Sequence, residues 1–362
     1  MENGLKKEDS LALKGMAILM MVFYHCYYKA AKFQKYDVVF RGFSADQVIT
    51  VASCMKICVA LFAFVSGYGL MYGYKKEKET KSSFSDSRWT LRHLFSTLSG
   101  YWFTAAVAYA GYALFIDRSF RRLGDVRIDK LTAMGMDLLG ISWLTGTRSL
   151  NGTWWYMSAA IIFILCIPLF YRAVRQWGAV IPVIMIFIFP RVTGIGFPGS
   201  ASSLSFLMIL MTGSLCAQYD FFSWFRSLGN QYRSSRVWKG ILLFLCLSAA
   251  FWLYPKLNVK TIWEYQYAAV PFLVILFSVE YLFRISWVSR FFQYFGRHSL
   301  NIWLIHTFIR DYMGETVFSV REFWLVPVVI LMISLAVSYV IELLKKVTGY
   351  QKLVRYVLQK LR

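Results

Sequence analysis

Lys14 and His25 frame ten uncharged residues, Gly15-Met16-Ala17-Ile18-Leu19-Met20-Met21-Val22-Phe23-Tyr24. Eleven steps of α-helix turn through about 1100°, three turns and roughly 20°, so the ammonium and the imidazole share a face about 16 Å apart along the axis. In a membrane helix that is close to half the hydrocarbon thickness, and a titratable group carried so deep is costly and counts as a functional candidate. A lysine that snorkels to one interface and a histidine satisfied by a carbonyl at the other explain the same residues. This segment alone leaves both readings open.

Three further clusters carry chemistry-bearing side chains. Arg88 and Arg92, four apart, share a helix face. Two converging guanidiniums suit a phosphate-rich ligand such as coenzyme A, although an ordinary basic cluster at a span end has the same pattern. Trp154 and Trp155 follow Asn151-Gly152-Thr153 at the start of an apolar run. They read either as an interfacial aromatic belt or as a platform for stacking carbohydrate. Asn151 also heads a formal glycosylation sequon. In Gly296-Arg297-His298-Ser299-Leu300-Asn301-Ile302-Trp303-Leu304-Ile305-His306, Ser299 and His306 lie two turns apart on one face. So polar a helix in a membrane protein should face inward or line a cavity. Earlier, Ser66 and Tyr68 place hydroxyls in an apolar stretch in which Gly69 and Gly73 form a small-x-x-x-small packing pair. Lys56, in that same span, calls for a partner, a wet cavity or a reach to the interface.

The elements that hold these groups are set by composition. Hydrophobic residues make up 58% of the 362 residues and charged residues 16%, with a mean hydropathy of +0.49; soluble domains carry roughly 25% charge. The expectation is an all-α polytopic membrane protein, a single domain over 1–362 without an additional soluble domain. About ten spans are expected, near 11–28, 49–74, 89–116, 153–171, 178–197, 201–217, 239–254, 264–283, 293–311 and 323–344. The segment 131–150 is too polar for a clear span and reads as a re-entrant or interfacial helix. The first span lacks a small-x-small cleavage site and is expected to remain as an anchor.

The net charge of +21 does not indicate nucleic acid, because the Lys and Arg residues sit in short loops and at span ends, where they fix topology and meet anionic lipid. With both termini cytoplasmic, the inner segments are all basic; 117–130, with Arg118, Arg121, Arg122, Arg127 and Lys130, goes against this order. The six cysteines lie in apolar segments without metal-ligand spacing and read as small packing residues, so no metal is expected.

Taken in order along the chain, these landmarks resemble the acyltransferase-3 family of bacterial integral-membrane acyltransferases. Lys14 and His25 keep the spacing of the family's Arg-x10-His, with Lys in place of Arg. Phe62-Ala63-Phe64-Val65-Ser66-Gly67-Tyr68 is similar to its Phe-Phe-x-Ser-Gly-Tyr/Phe element, and Arg88 and Arg92 to its paired arginines. Trp154-Trp155-Tyr156 falls where the family has Leu-Trp-Phe/Tyr. Gly296, Arg297, Ser299 and His306 match its late Gly-Lys/Arg-x-Ser-x6-His element. The resemblance implies transfer of an acyl group, usually acetyl, from cytoplasmic acyl-CoA to a hydroxyl of a polysaccharide or related envelope glycan, free or lipid-linked, at the bacterial cytoplasmic membrane. It implies His25 as the catalytic imidazole, with His306 as second candidate. Lys14, Arg88 and Arg92 would engage acyl-CoA, and Trp154, Trp155, Ser66 and Ser299 the substrate. Expected partners are membrane lipids and envelope-glycan assembly proteins. Lysine at position 14 keeps the charge but not a guanidinium's bidentate geometry. A glycan transporter or flippase, and a non-catalytic scaffold, are the competing classes; no inverted repeat or paired broken span favours the first.

Overall fold

Apolar runs placed in lipid must satisfy their own backbone groups, and a helix does so within one segment. The computed structural model describes residues 4–193, 203–257 and 262–361 and is helical throughout, with one isolated bridge between Val39 and Glu322 in place of any strand among the described residues. The helices are α1 (Lys7–Tyr27), α2 (Ala45–Cys54), α3 (Cys58–Thr80), α4 (Asp86–Phe115), α5 (Arg127–Leu138), α6 (Ser142–Thr145), α7 (Trp155–Trp177) and α8 (Val180–Thr193). They continue as α9 (Leu207–Gln218), α10 (Phe221–Ser227), α11 (Ser235–Leu253), α12 (Val270–Glu280), α13 (Ser286–Tyr312), α14 (Gly314–Phe318), α15 (Leu325–Val347) and α16 (Tyr350–Lys360).

Six helical stretches among the described residues are long and apolar enough to cross a membrane: Lys7–Tyr27, Ala45–Thr80, Gly152–Trp177, Ser235–Leu253, Tyr265–Arg284 and Leu325–Val347. A seventh is counted if Leu204–Gln218 and Phe221–Ser227, bent by 67°, form one broken span. The expected spans at 89–116 and 293–311 are the long helices α4 and α13, more polar than the six; that at 178–197 is α8, with residues 194–197 outside the described residues. Positions 201 and 202 of the expected span 201–217 also lie outside them.

The chain divides into two compact units, Met1–Met21 with Ser53–Phe84 and Leu165–Arg297, and Val22–Ala52 with Ser85–Ile164 and His298–Arg362. In the first unit helices approach at glycines. A methyl group on Gly15 would strike the Phe292 carbonyl, and one on Gly296 the Leu11 carbonyl, so α1 and α13 meet backbone to backbone. Gly67 and Gly213 do the same for α3 and α9, against Leu210 and Phe64. The pair expected from spacing, Gly69 and Gly73, faces nothing within 4 Å among the described residues. The close approach is displaced by a fraction of a turn, to Gly67. Lys56 sits in the short turn Met55–Ile57 that breaks α2 from α3.

In the second unit α4 and α13 run side by side in one direction. Thr104 bonds Asn301 at 2.9 Å, and the rings of Tyr112 and Tyr312 stand 5.9 Å apart. The segment 131–150 is neither a span nor structureless: α5 docks on α4, and the single turn α6 follows it. Tyr101 donates to the Asp137 carbonyl at 2.8 Å and Trp102 to that of Leu138 at 2.7 Å. The connection after α1 is also tied down. Tyr27 donates to the Phe323 carbonyl at 2.8 Å, Tyr36 stacks on Phe318 at 4.2 Å, and Val39 exchanges backbone bonds with Arg321 and Phe323.

Candidate active site

His25 lies two residues before the C-terminal end of α1, and His306 lies on α13. Within the second unit their rings stand 5.1 Å apart, centroid to centroid, tilted by 49°. His306 is fully buried. Its Nδ1 lies 3.0 Å from the Ile302 carbonyl and 2.9 Å from that of Trp303. Carbonyl oxygens only accept, so the proton is assigned to Nδ1 and the lone pair to Nε2. That buried Nε2 has no hydrogen-bond partner among the described residues. Buried polar atoms in folded proteins are normally satisfied, and an exception asks for a role.

Arg310 stands one turn beyond His306 on the same face. It is buried, donates from Nη1 to the His25 carbonyl at 2.8 Å, and grips Asp311 through Nε at 2.8 Å and Nη2 at 2.6 Å. A helix leaves its last carbonyls without internal partners, and Arg310 takes up one of them. The guanidinium therefore ties the end of α1 to α13 where the imidazoles meet.

A second clamp holds α13 from the other side. Asn151 donates to the Thr307 hydroxyl at 2.7 Å and to the Leu304 carbonyl at 3.4 Å, and the Trp154 indole donates to the same carbonyl at 3.1 Å. Asn151 Oδ1 in turn accepts from Thr307 at 3.0 Å and from the Thr153 amide at 3.0 Å, capping the turn Gly152–Trp154. Trp154 is buried, with Tyr101, Tyr109 and Phe308 around its ring. Its place is inside the unit, holding the histidine-bearing helix, whereas Trp155 is half-buried beside Tyr156. The Asn151 amide is likewise buried and engaged, which leaves its sequon without an accessible nitrogen.

Asn301 centres a further polar cluster nearer the start of α13. It donates to Ser338 at 3.0 Å and to Glu342 at 2.9 Å, while Glu342 accepts from Lys345 at 2.8 Å and Ser338 meets His298 at 2.9 Å. Ser299 is buried on α13, seven residues before His306. Arg88 is exposed and Arg92 half-buried in the first two turns of α4, where Ser85 caps the helix by accepting from the Arg88 amide at 3.4 Å. Arg92 precedes Tyr109, which packs on Trp154, by seventeen residues, about 25 Å of helix. The arginine pair and the imidazole pair thus stand at opposite ends of α4. Lys14 and Ser66, both half-buried, belong to the first unit; Lys14 shares α1 with His25, eleven residues earlier.

Sequence reasoning missed Arg310, Asp311, Thr307 and the clamp role of Asn151. The spacing of His306 and Arg310 was a usable signal. The pairing of Asn151 with Thr307, 156 residues apart, left none.

A family model described as an acyltransferase domain matches residues 11–343. The chain belongs to the acyltransferase-3 family. The match takes in His25, His306, both arginines of α4, four of the six apolar helices entire and most of the first and last, so this acyltransferase is a multi-pass membrane protein. Neither a curated protein nor a solved structure matches the chain.

Proposed function

We propose that this protein is an acyl-CoA-dependent O-acyltransferase of the bacterial cytoplasmic membrane, moving an acyl group, most simply acetyl, to a hydroxyl of an envelope glycan. The observation that carries the reading is the bare, buried Nε2 of His306 held 5.1 Å, ring to ring, from His25. In this reading α4, α8, α9 and α13 cross the membrane with the six apolar helices, giving ten spans and cytoplasmic termini. Arg88 and Arg92 mark the donor's cytoplasmic mouth, where coenzyme A phosphates meet two guanidiniums. The donor lies extended along the bundle, past the polar rungs at Asn301, Glu342 and Lys345, and brings its thioester to the histidines.

There the acceptor hydroxyl gives its proton to His306 Nε2 as its oxygen bonds to the thioester carbonyl carbon. The tetrahedral oxyanion collapses, the C–S bond breaks, and the coenzyme A thiolate leaves. The proton held on imidazole passes to the thiolate by way of His25, which restores both rings. Positioned acid–base catalysis of this kind is worth about 10²- to 10⁴-fold.

The test is coenzyme A release from acetyl-CoA by the purified protein with candidate glycans. His25→Ala and His306→Ala should each lower the acceptor-dependent rate by about a hundredfold or more, while eluting as folded protein in detergent. Either variant retaining wild-type turnover would falsify the assignment.

A further inference from the structure

The α1 end of the second unit carries positive charge that the reaction above does not use. Tyr28, whose ring lies 6.1 Å from that of His25, has Lys29 Nζ at 5.6 Å and Lys32 Nζ at 5.9 Å from its centroid. Arg310 reaches the His25 carbonyl from the other side. Lys32 is also within electrostatic range of Arg310, Asp311, Lys29 and Arg122. Burial first, and then the Arg310 guanidinium, push the Lys32 ammonium down from its usual value. Four cations therefore gather around one carboxylate. Asp311 is committed to Arg310, whereas Lys29, Lys32 and Arg122 have no carboxylate within 4 Å among the described residues. The lysines are not on a loose tether, because Phe33 is buried and the connection that follows is bonded to Arg321 and Phe323.

We infer that this cluster receives a negatively charged group of the acceptor glycan, a carboxylate or a phosphate on a sugar beside the one acylated. The inference rests on the acyltransferase reading for the sidedness of its substrates. The cations suited to the donor's phosphates, Arg88 and Arg92, lie about 25 Å away along α4, so an anion at the histidine end belongs to the other substrate. Four cations sharing one carboxylate favour an anionic ligand over a neutral one, and the preference weakens with salt. Arg122, from the basic segment 117–130 that opposed the orientation expected from loop charges, is accounted for as part of this receiving surface.

The test uses full-length protein in neutral phosphatidylcholine nanodiscs, titrated without donor with tetragalacturonate and with its methyl ester, two sugars that differ in charge. At low salt the acid should bind about tenfold tighter or better. That ratio should fall towards one in Lys29→Gln/Lys32→Gln/Arg122→Gln and in the charge reversal Lys29→Glu/Lys32→Glu/Arg122→Glu, with each variant first shown to elute as folded protein. Equal affinities in wild type, or a ratio indifferent to both variants, overturn the proposal. So does a result in which the variants alter only retention of phosphatidylglycerol, followed in a parallel set of nanodiscs that contain it, which would make this a lipid headgroup site. Binding is read without turnover, so a charge preference without coenzyme A release would count against the acyltransferase reading alone. Coenzyme A release with equal use of both sugars would count against this inference alone.

Discussion

At the scale of single residues, Arg310 sets the geometry of the imidazole pair more directly than any residue that spacing picked out. Its hold on the His25 carbonyl fixes the last turn of α1, and its pairing with Asp311 fixes its own plane. Hydrogen bonds from a charged donor are worth about 1.5–3 kcal/mol, a factor of about 10 to 150. Arg310→Ala should therefore lower kcat by roughly that factor, with KM for acetyl-CoA little changed, because the proposed function puts the donor's phosphates at Arg88 and Arg92. Arg310→Lys should recover part of the loss, since an ammonium can reach one oxygen but not reproduce the fork. Steady-state kinetics on the two variants check both statements. His25 and His306 were legible in the sequence because each stands in a long uncharged run, where an imidazole is conspicuous. Arg310 was not, because an arginine at a span end already has an explanation in topology.

Helices meet in this protein where a side chain would have no room. Gly296 reads, in sequence, as one letter of a motif around a serine and a histidine; in the structure it is the point at which α13 touches the backbone of α1. A methyl group there must push two helices apart, and overpacking of this kind costs about 1–3 kcal/mol or more. Gly296→Ala and Gly67→Ala should both lower the melting temperature measured in detergent. Gly69→Ala and Gly73→Ala, in open surroundings, should leave it level or raise it slightly, through the roughly 1 kcal/mol by which alanine exceeds glycine in a helix. The glycine spacing showed that α3 packs closely but not which of its faces does so, because glycines at 67, 69 and 73 differ only in what a distant helix places opposite them. The same limit applies to Asn151 and Trp154. Their types left an interfacial belt, a sugar platform and a glycosylation sequon open, and only the arrival of α13 shows the amide and the indole spent on Leu304 and Thr307.

For the molecule as a whole, composition was enough to give the helical class and the membrane, because hydropathy acts over whole segments. The number of crossings was less legible: α4 and α13, read as spans in the sequence, carry the polar site residues and are not among the six helices that length and hydropathy qualify. Those two helices also separate the arginine pair from the histidines by about 25 Å, against a hydrocarbon core of about 30 Å. Such a molecule is matched to its solvent as a ruler is to a gap. Lipids with shorter or longer tails force helices to tilt or the bilayer to deform, at fractions of a kcal/mol per Å. Reconstituted into phosphatidylcholines of increasing chain length, the enzyme should show a turnover optimum at intermediate thickness, with its acceptor preference unchanged. On the proposed function, in which an acyl group passes from one face to the other, the rate would be set partly by the fatty acids the host makes, so that growth temperature, through tail length, would tune how heavily the cell's surface sugars are decorated.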